Sequence, residues 1–333
     1  MLDSKLARVA MLCAFVFPVF ASELAGDAGQ AHAQDYPTKP IRFIIPFPPG
    51  GGTDLMSRVL AARVTEQTRW NFLMENKPGV GGSLGVEQAA RAAPDGYTIV
   101  MGQASNLALN PSINPKLAYD PVKDLQPVSM VAIGPLMLVG SAGSRITSLA
   151  ALLSEAKANP GRVLFGSPGN GTLGHLGGEW FNRAGGVKLE HIPYRGAAQA
   201  LTDVLGGRLD LYVSTVPAAL GQIKAGKLRG IAVMGLTRHP DLPDVPTVAE
   251  VVSPNFEVAN WYGVLVPAAT SAPIVARLGA EIRKALESAE VRERLAAEGV
   301  FARGSTPEGM LAHIKAEIAK WAPVIRESGV KLE

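Results

Sequence analysis

Four glycine-rich segments of this sequence carry the residue types that bind anions. They span residues 47–54, 79–85, 167–175 and 194–197, and each follows a predicted strand and precedes a predicted helix. Free backbone N–H groups and the positive end of the helix dipole make such strand-to-helix loops suitable sites for carboxylates. Any one loop could simply be a tight turn, but four in matching positions favour a binding site between them.

The side chains of these loops add further donors. Ser167, Thr172 and His175 could each give a charge-assisted hydrogen bond, and such bonds contribute about 1.5–3 kcal/mol each. In residues 50–53 the donors belong to the backbone. We therefore expect added bulk at Gly51 to block the approach of a ligand and to strain any positive φ angle at that position.

Residues 169–174 offer an alternative, because their sequence GNGTLG matches the GxGxxG motif of dinucleotide-binding proteins. The motif follows a predicted strand, and Glu190 lies about 20 residues further on, as such a site requires. An exported NAD-dependent oxidoreductase is therefore the competing hypothesis. A P-loop is disfavoured, since Thr172 stands where that motif needs a lysine.

The other polar residues form no pattern that predicts catalysis or metal binding. His175 and Glu179 are one helical turn apart, but two ligands do not make a metal site. Ser167 does not lie in a GxSxG motif, and the single cysteine, Cys13, lies in the apolar N-terminal segment. We predict no catalytic residue, no metal and no cofactor, which favours a binding protein over an enzyme.

The N-terminus is typical of a secretory signal peptide. Lys5 and Arg8 precede an apolar stretch at residues 9–21, which is shorter than the roughly 20 residues that a spanning helix needs. Residues 31–33, with the sequence AHA, place small side chains where signal peptidase cleaves. We predict residues 1–33 as the signal peptide and expect a periplasmic location.

The composition is typical of a folded globular protein. Of its 333 residues, 47% are hydrophobic and only 6% aromatic, so the core must be largely aliphatic. The net charge of +3 is spread thinly, and aromatic residues are not interleaved with basic ones. Nucleic-acid binding is therefore disfavoured, and we expect a monomer whose ligand is a small molecule.

The order of predicted elements indicates an α/β fold with two lobes. Predicted strands at residues 41–47, 71–75 and 97–101 alternate with helices, and the same alternation starts again at the strand 162–166. Alternation of this kind predicts mostly parallel, doubly wound sheets with helices on both faces. Two copies predict two such sheets, joined by a hinge.

The C-terminal part is predicted to be helical, ending with a helix at residues 306–327 that Ser305 or Thr306 caps. The chain thus leaves the first lobe once and returns to it. We predict that lobe I consists of residues 34–135 and 254–333, and that lobe II consists of residues 136–253.

Several motifs, in order along the chain, closely resemble those of the Bug, or tripartite tricarboxylate transporter receptor, family. The matching segments are YPTKPIRFIIPFPPGGGTD at 36–54, ENKPGVGG at 75–82, PDGY at 94–97, GSPGNG at 166–171, HL at 175–176, IPYRG at 192–196, LPDVPT at 242–247 and WYG at 261–263. The resemblance implies a periplasmic binding protein that closes on its ligand by hinge motion and hands it to integral-membrane transporter subunits. It also implies a small organic acid as ligand: a dicarboxylate or tricarboxylate, an amino acid or an aromatic acid.

In this family the loops 47–54 and 167–175 bind a ligand carboxylate, partly through bridging waters. Asp54 matches a family aspartate that would accept a hydrogen bond from the ligand or from a loop amide. Relatives often carry an aspartate where this chain has Ser214-Thr215, which lessens the case for a cationic ligand. The candidate ligand-binding residues are Phe47, Gly51, Gly52, Thr53, Asp54, Ser105, Ser167, Asn170, Thr172, His175, Tyr194, Gly196, Ala197 and Ser214.

Overall fold

The computed structural model describes residues 36–330. The predicted signal peptide, residues 1–33, lies outside the described residues. The described residues from Lys39 onward form one compact unit. The fold of this unit contains ten strands among its described residues: β1 (Ile41–Ile45), β2 (Phe72–Asn76), β3 (Thr98–Gln103), β4 (Leu125–Ser141), β5 (Leu164–Ser167), β6 (Glu190–Pro193), β7 (Leu211–Thr215), β8 (Leu228–Val233), β9 (Ala259–Pro267) and β10 (Phe301–Ala302).

The described helices alternate with these strands and then follow them. They are α1 (Gly52–Thr68), α2 (Ser83–Ala90), α3 (Asn110–Ile113), α4 (Leu149–Ala158), α5 (Leu173–Gly185), α6 (Ala197–Leu205), α7 (Val216–Lys224), α8 (Val248–Val251), α9 (Ala272–Glu287), α10 (Ala289–Ala297) and α11 (Pro307–Ser328). Short 3₁₀ and π-helical turns occupy Val80–Gly82 and Ser105–Leu109. None of the described helices is both long and apolar enough to span a bilayer.

The first part of the β-sheet contains five strands, in the order β2, β1, β3, β9 and β4. Strand β1 pairs in parallel with β2 and with β3, whereas β9 pairs antiparallel with both β3 and β4. Strand β1 is almost wholly buried and almost wholly apolar, as expected for a parallel strand whose two faces are both covered.

Strand β4 connects this part of the sheet to a second part. Its pairs with β9 end at Pro135↔Ala259, and its pairs with β7 begin at Leu136↔Thr215. Beyond β7, strands β5 and β6 follow in parallel, while β8 pairs with β4. The predicted lobe limits, with their change at residue 135, stay a prediction, although the strand changes partners at that point.

The last helix shows how the predicted capping determines local structure. Thr306 is the N-cap of α11, and its Oγ1 accepts a hydrogen bond from the Gly309 N–H at 3.1 Å, as predicted. One turn of this helix contributes Glu317 to the core. Its Oε2 accepts hydrogen bonds from the indole N–H groups of Trp261 and Trp321, each at 3.2 Å. A single buried carboxylate thus connects α11 to β9.

Candidate functional site

The four predicted loops meet at one cavity of about 410 Å³. The loops follow β1, β2, β5 and β6, so the cavity lies beyond the carboxyl ends of parallel strands, where open α/β sheets bind ligands. Its lining residues are Phe47, Pro48, Pro78, Gly79, Val80, Gly81, Gly82, Pro168, Gly169, Asn170, Tyr194, Arg195 and Gly196.

A second, smaller cavity of about 50 Å³ shares Phe47, Pro48, Pro168 and Gly196 with the first. We call it the deep pocket. Its further lining residues are Gly51, Gly52, Thr53, Gln103, Ala197, Tyr212, Thr215 and Tyr262. The N-termini of α1 and α6 therefore both border the deep pocket.

These two helix N-termini are open to a ligand. The N-cap residues are Gly51 for α1 and Gly196 for α6, and neither has a side chain that caps the helix. The first N–H groups of a helix lack intrahelical acceptors, and together with the helix dipole they favour negative charge. The arrangement provides two sets of donors for one anionic group.

The electrostatics of the lining favour the same class of ligand. Of the described residues that line either cavity, Arg195 alone carries a charged side chain, and it is exposed at the outer one. Among the described residues, no carboxylate lines either cavity. Thr215 lines the deep pocket and is uncharged, so a ligand ammonium group would find no counter-ion among the described lining residues there.

The glycines of the first loop differ from the expectation. Gly51 has a φ of −90°, and a Cβ on it would meet only the Pro48 carbonyl oxygen, at 3.9 Å. The predicted strain at Gly51 is therefore wrong, because its backbone is extended and its surroundings are open. The positive φ belongs to Gly50, at +82°, and the crowded position is Gly52, where a Cβ would overlap the Tyr262 Oη atom.

Asp54 faces the loop and not the cavity. Its Oδ2 accepts a hydrogen bond from the Gly50 N–H at 3.1 Å, and its Oδ1 accepts from Arg58 and from Asn76, both at 3.0 Å. Burial raises the pKa of this carboxyl, but these hydrogen bonds outweigh it and hold the pKa below its usual value. Of the two predicted roles, the structure shows the hydrogen bond to a loop amide.

The Ser167 hydroxyl and two stacked histidines support the loop at 167–175. The His175 and His191 rings are parallel within 8°, with centroids 3.7 Å apart. Ser167 Oγ lies 2.7 Å from His191 Nε2, and the Gly171 N–H donates to His175 Nδ1 at 3.2 Å. Burial lowers the pKa of His175 to about 4, and burial together with the His175 charge lowers the pKa of His191 to about 3. Both rings are therefore neutral at physiological pH, and His175 accepts the Gly171 N–H through Nδ1.

Three other predicted residues have structural partners in the same region. The Thr172 hydroxyl donates to the Gly169 carbonyl at 2.7 Å and caps α5. Ser105 Oγ accepts from the Leu173 N–H at 3.0 Å. Ser214 Oγ donates to the Thr215 carbonyl at 2.8 Å. All are buried behind the cavity.

The structure thus divides the predicted site residues into two groups. Those that line the cavities are Phe47, Gly51, Gly52, Thr53, Asn170, Tyr194, Gly196 and Ala197. Those that are buried and line neither cavity are Asp54, Ser105, Ser167, Thr172, His175 and Ser214. All of these except Ser214 hydrogen-bond to the loops. Within residues 36–330, no three His, Cys, Asp or Glu side chains are grouped so that they could bind a metal.

A family model described as the tripartite tricarboxylate transporter family receptor matches residues 56–330. The chain belongs to this family. It is 39% identical to protein BugT of Bordetella pertussis over 310 residues, covering 93% of this chain and 95% of the relative.

Solved structures agree with this family assignment. One, a periplasmic transporter, has 37% identity and a TM-score of 0.86, with 90% of this chain and 100% of that chain covered. Another, R. palustris Rpa4515 with adipate, has 33% identity and a TM-score of 0.86, with 89% of this chain and 99% of that chain covered. The predicted two-lobed periplasmic binding protein fold is confirmed, and nothing in these comparisons supports the dinucleotide-binding alternative.

The predicted ligand-binding residues did not include four residues that line the deep pocket: Gln103, Tyr212, Thr215 and Tyr262. They lie on β3, β7 and β9, which approach the pocket from three points in the sequence. The WYG motif at 261–263 contained a signal, but a tyrosine in a predicted strand is more often a core residue. Only the antiparallel pairing of β9 with β3 places Tyr262 opposite Gln103.

Proposed function

We propose that this protein is an extracytoplasmic solute-binding receptor that captures a small carboxylate-bearing molecule. The ligand's carboxylate occupies the deep pocket and the rest of the molecule occupies the 410 Å³ cavity. The receptor acts in the periplasm, closes by movement of lobe II (residues 136–253) relative to lobe I, and delivers the ligand to a tripartite membrane transporter. Family membership supports the transport role.

The observation that carries this proposal is the convergence of two uncapped helix N-termini on the deep pocket. The carboxylate accepts hydrogen bonds from the backbone at Gly52 and Thr53 on one side and at Ala197 on the other. Backbone donors are fixed by the fold, so little conformational entropy is lost when they bind. The residues behind the cavity, among them Asp54 and Ser167, keep these loops in place.

The shape and charge of the lining narrow the ligand class. Apolar and uncharged residues dominate the outer cavity, and Arg195 at its border adds the one positive charge among the described lining residues. An organic acid without an ammonium group fits this lining best. We expect the acid to be released chemically unchanged, because the described residues that line the cavities form no catalytic pattern.

A thermal-shift screen tests the proposal directly. Acetate, malate and adipate serve as probes, with 1,6-diaminohexane as the cationic counterpart of adipate and with NAD as the probe for the alternative. A ligand at 100 times its Kd stabilises the folded state by about 2.7 kcal/mol. We expect at least one acid to raise the Tm, and neither the diamine nor NAD to do so.

Substitution at Ala197 makes the test specific for the site. Ala197→Asp places a carboxylate at the first position of α6, which stabilises the helix by about 0.3–1 kcal/mol but repels a carboxylate in the deep pocket. Ala197→Asn is the uncharged control of the same size. We expect the aspartate variant to fold with an equal or higher Tm and to lose the acid-induced shift, while the asparagine variant keeps most of it. An acid-induced shift of parental size in the aspartate variant would show that the site lies elsewhere.

A further inference from the structure

The hydroxyl group of Tyr262 is buried without a hydrogen-bond partner. The residue lies on β9, opposite Gln103 on β3, and its side chain is 1% exposed. Among the residues that the structure describes, no group meets full hydrogen-bond geometry with its Oη atom. Asn260 and Thr215 lie close enough to interact with the hydroxyl and to offset part of the rise in its pKa that burial causes. A buried and unpaired polar group is unfavourable, and native proteins retain few of them.

This hydroxyl is directed at the N-terminus of α1. A Cβ built on Gly52 would overlap the Tyr262 Oη and would lie 3.2 Å from Thr215 Oγ1. Gly52 is the first residue of α1, and the residues concerned all line the deep pocket. The unpaired oxygen therefore lies at the place where the backbone donors of α1 are also open.

The chemistry of the group is that of a donor. Burial raises the pKa of Tyr262 to about 12, so the phenol keeps its proton at any physiological pH. Next to it, Gln103 Oε1 accepts from Thr53 Oγ1 at 3.2 Å and from Asn260 Nδ2 at 2.6 Å. With its oxygen engaged in this way, the Gln103 amide has only its N–H₂ group to offer to the pocket.

We infer that Tyr262 is a specificity-determining residue whose hydroxyl donates a hydrogen bond to the ligand carboxylate at the N-terminus of α1. This inference rests on the proposed function and extends it, because it assigns the side-chain donor of a site that is otherwise built from backbone N–H groups. A carboxylate has acceptors only, and it satisfies the phenol and the helix N-terminus together. A ligand group without an oxygen acceptor leaves the phenol unpaired.

The test compares two buried tyrosines, one whose hydroxyl lacks a hydrogen-bond partner and one whose hydroxyl has a partner. Tyr262→Phe removes an unpaired hydroxyl. Tyr119→Phe removes a paired one, since the buried Tyr119 Oη donates to the Asn106 carbonyl at 2.6 Å. The measurements are the Tm of each ligand-free variant and the calorimetric Kd for whichever of acetate, malate and adipate gives the parent protein its largest thermal shift.

For Tyr262→Phe we expect a Tm equal to or above that of the parent and a Kd that rises about tenfold to a hundredfold, the range of one charge-assisted hydrogen bond. For Tyr119→Phe we expect the reverse: a lower Tm and an unchanged Kd. If Tyr262→Phe binds the acid as the parent does, or loses stability without losing affinity, the hydroxyl has a structural role and the inference is overturned. If the parent binds none of the three acids, the proposed function itself fails and the inference fails with it.

Discussion

Replacement of Gly52 by alanine gives the sharpest test of the geometry of the deep pocket. The backbone of Gly52 is not in the left-handed region, so the alanine causes no conformational strain. The added methyl would overlap Tyr262 Oη and lie within 3.4 Å of Tyr262 Cζ and 3.2 Å of Thr215 Oγ1. Tyr262 is fully buried, so its ring cannot simply turn away.

The change in the free energy of unfolding caused by Gly52→Ala is the balance of two opposing effects. Overpacking a well-packed site costs about 1–3 kcal/mol, whereas alanine is favoured over glycine in a helix by about 1 kcal/mol at most. We expect Gly52→Ala to lower the free energy of unfolding by about 1–2 kcal/mol, and the Tm by about 2–6 °C. The neighbouring Gly51→Ala is the control for stability. Its methyl would meet only the Pro48 carbonyl oxygen, at 3.9 Å, so its Tm should equal that of the parent.

A double variant separates this contact from any general disturbance of the helix. Tyr262→Phe removes the overlapping oxygen and leaves the ring carbon at 3.4 Å from the new methyl, an ordinary contact. We expect Gly52→Ala combined with Tyr262→Phe to regain at least half of the lost stability, measured by urea unfolding of all four proteins in a double-mutant cycle. Additive effects, or a Gly52→Ala protein as stable as the parent, would falsify the placement of the Tyr262 hydroxyl against α1.

Two further predictions concern groups behind the pocket. Glu317→Ala leaves the indole N–H groups of Trp261 and Trp321 without their acceptor and should cost about 2–4 kcal/mol in urea unfolding, whereas Glu317→Gln retains an acceptor and should cost less than half as much. Equal losses would refute this bridging role. The pKa values of His175 and His191, about 4 and about 3, lie below the 6.5 of free histidine. As the pH falls, the unfolded chain therefore binds protons before the folded protein does. The stability that these histidines contribute is complete above about pH 6.5 and falls as the pH is lowered towards 3, by roughly 1–2 kcal/mol per histidine between pH 7.5 and 5. His191→Gln should flatten this dependence, and an unchanged slope between pH 7.5 and 5 would contradict it.

The sequence was sufficient to predict the main architecture because it combined strong local signals. Apolar runs such as residues 41–45, followed by glycines and a helical period, predicted both the parallel strands and the loops at their carboxyl ends. The loops at 47–54, 79–85, 167–175 and 194–197 all contribute to the cavity lining, as expected from their matching positions. The helix beginning after Thr306 was predicted to within two residues at each end.

The features that were not predicted from the sequence depend on contacts between distant parts of the chain. Strand β4 was not predicted, because its apolar run contains Pro127, Pro135 and Gly134, which normally interrupt strands. Those residues occur beside register shifts and at the change of partners. The contribution of His191 was missed for a similar reason, because it stacks on His175 from a strand 16 positions further along the chain.

The glycines illustrate a different limit. A sequence shows that residues 50–52 are all glycine, but it does not show which of them needs to be. In the structure Gly50 has the positive φ angle, Gly52 has the close neighbour, and Gly51 has neither. The distinction comes from Tyr262, which is more than 200 positions away in the chain.

The pairing of β4 also has a consequence for the order in which the chain can fold. In its first half, β4 finds its partner on β9, more than 120 residues later, from Leu125↔Pro267 to Pro135↔Ala259. The strands between them, β5 to β8, pair among themselves and with the second half of β4. During synthesis, the chain can therefore pair β5 to β8 with one another and with the second half of β4 before β9 is available to join β3 to the first half of β4. Loop closure over so long a segment is slow. During refolding, the amides of β9 should therefore gain protection from hydrogen exchange after those of β7. Until β9 is in place, the edge of β3 that pairs with β9 has no neighbouring strand.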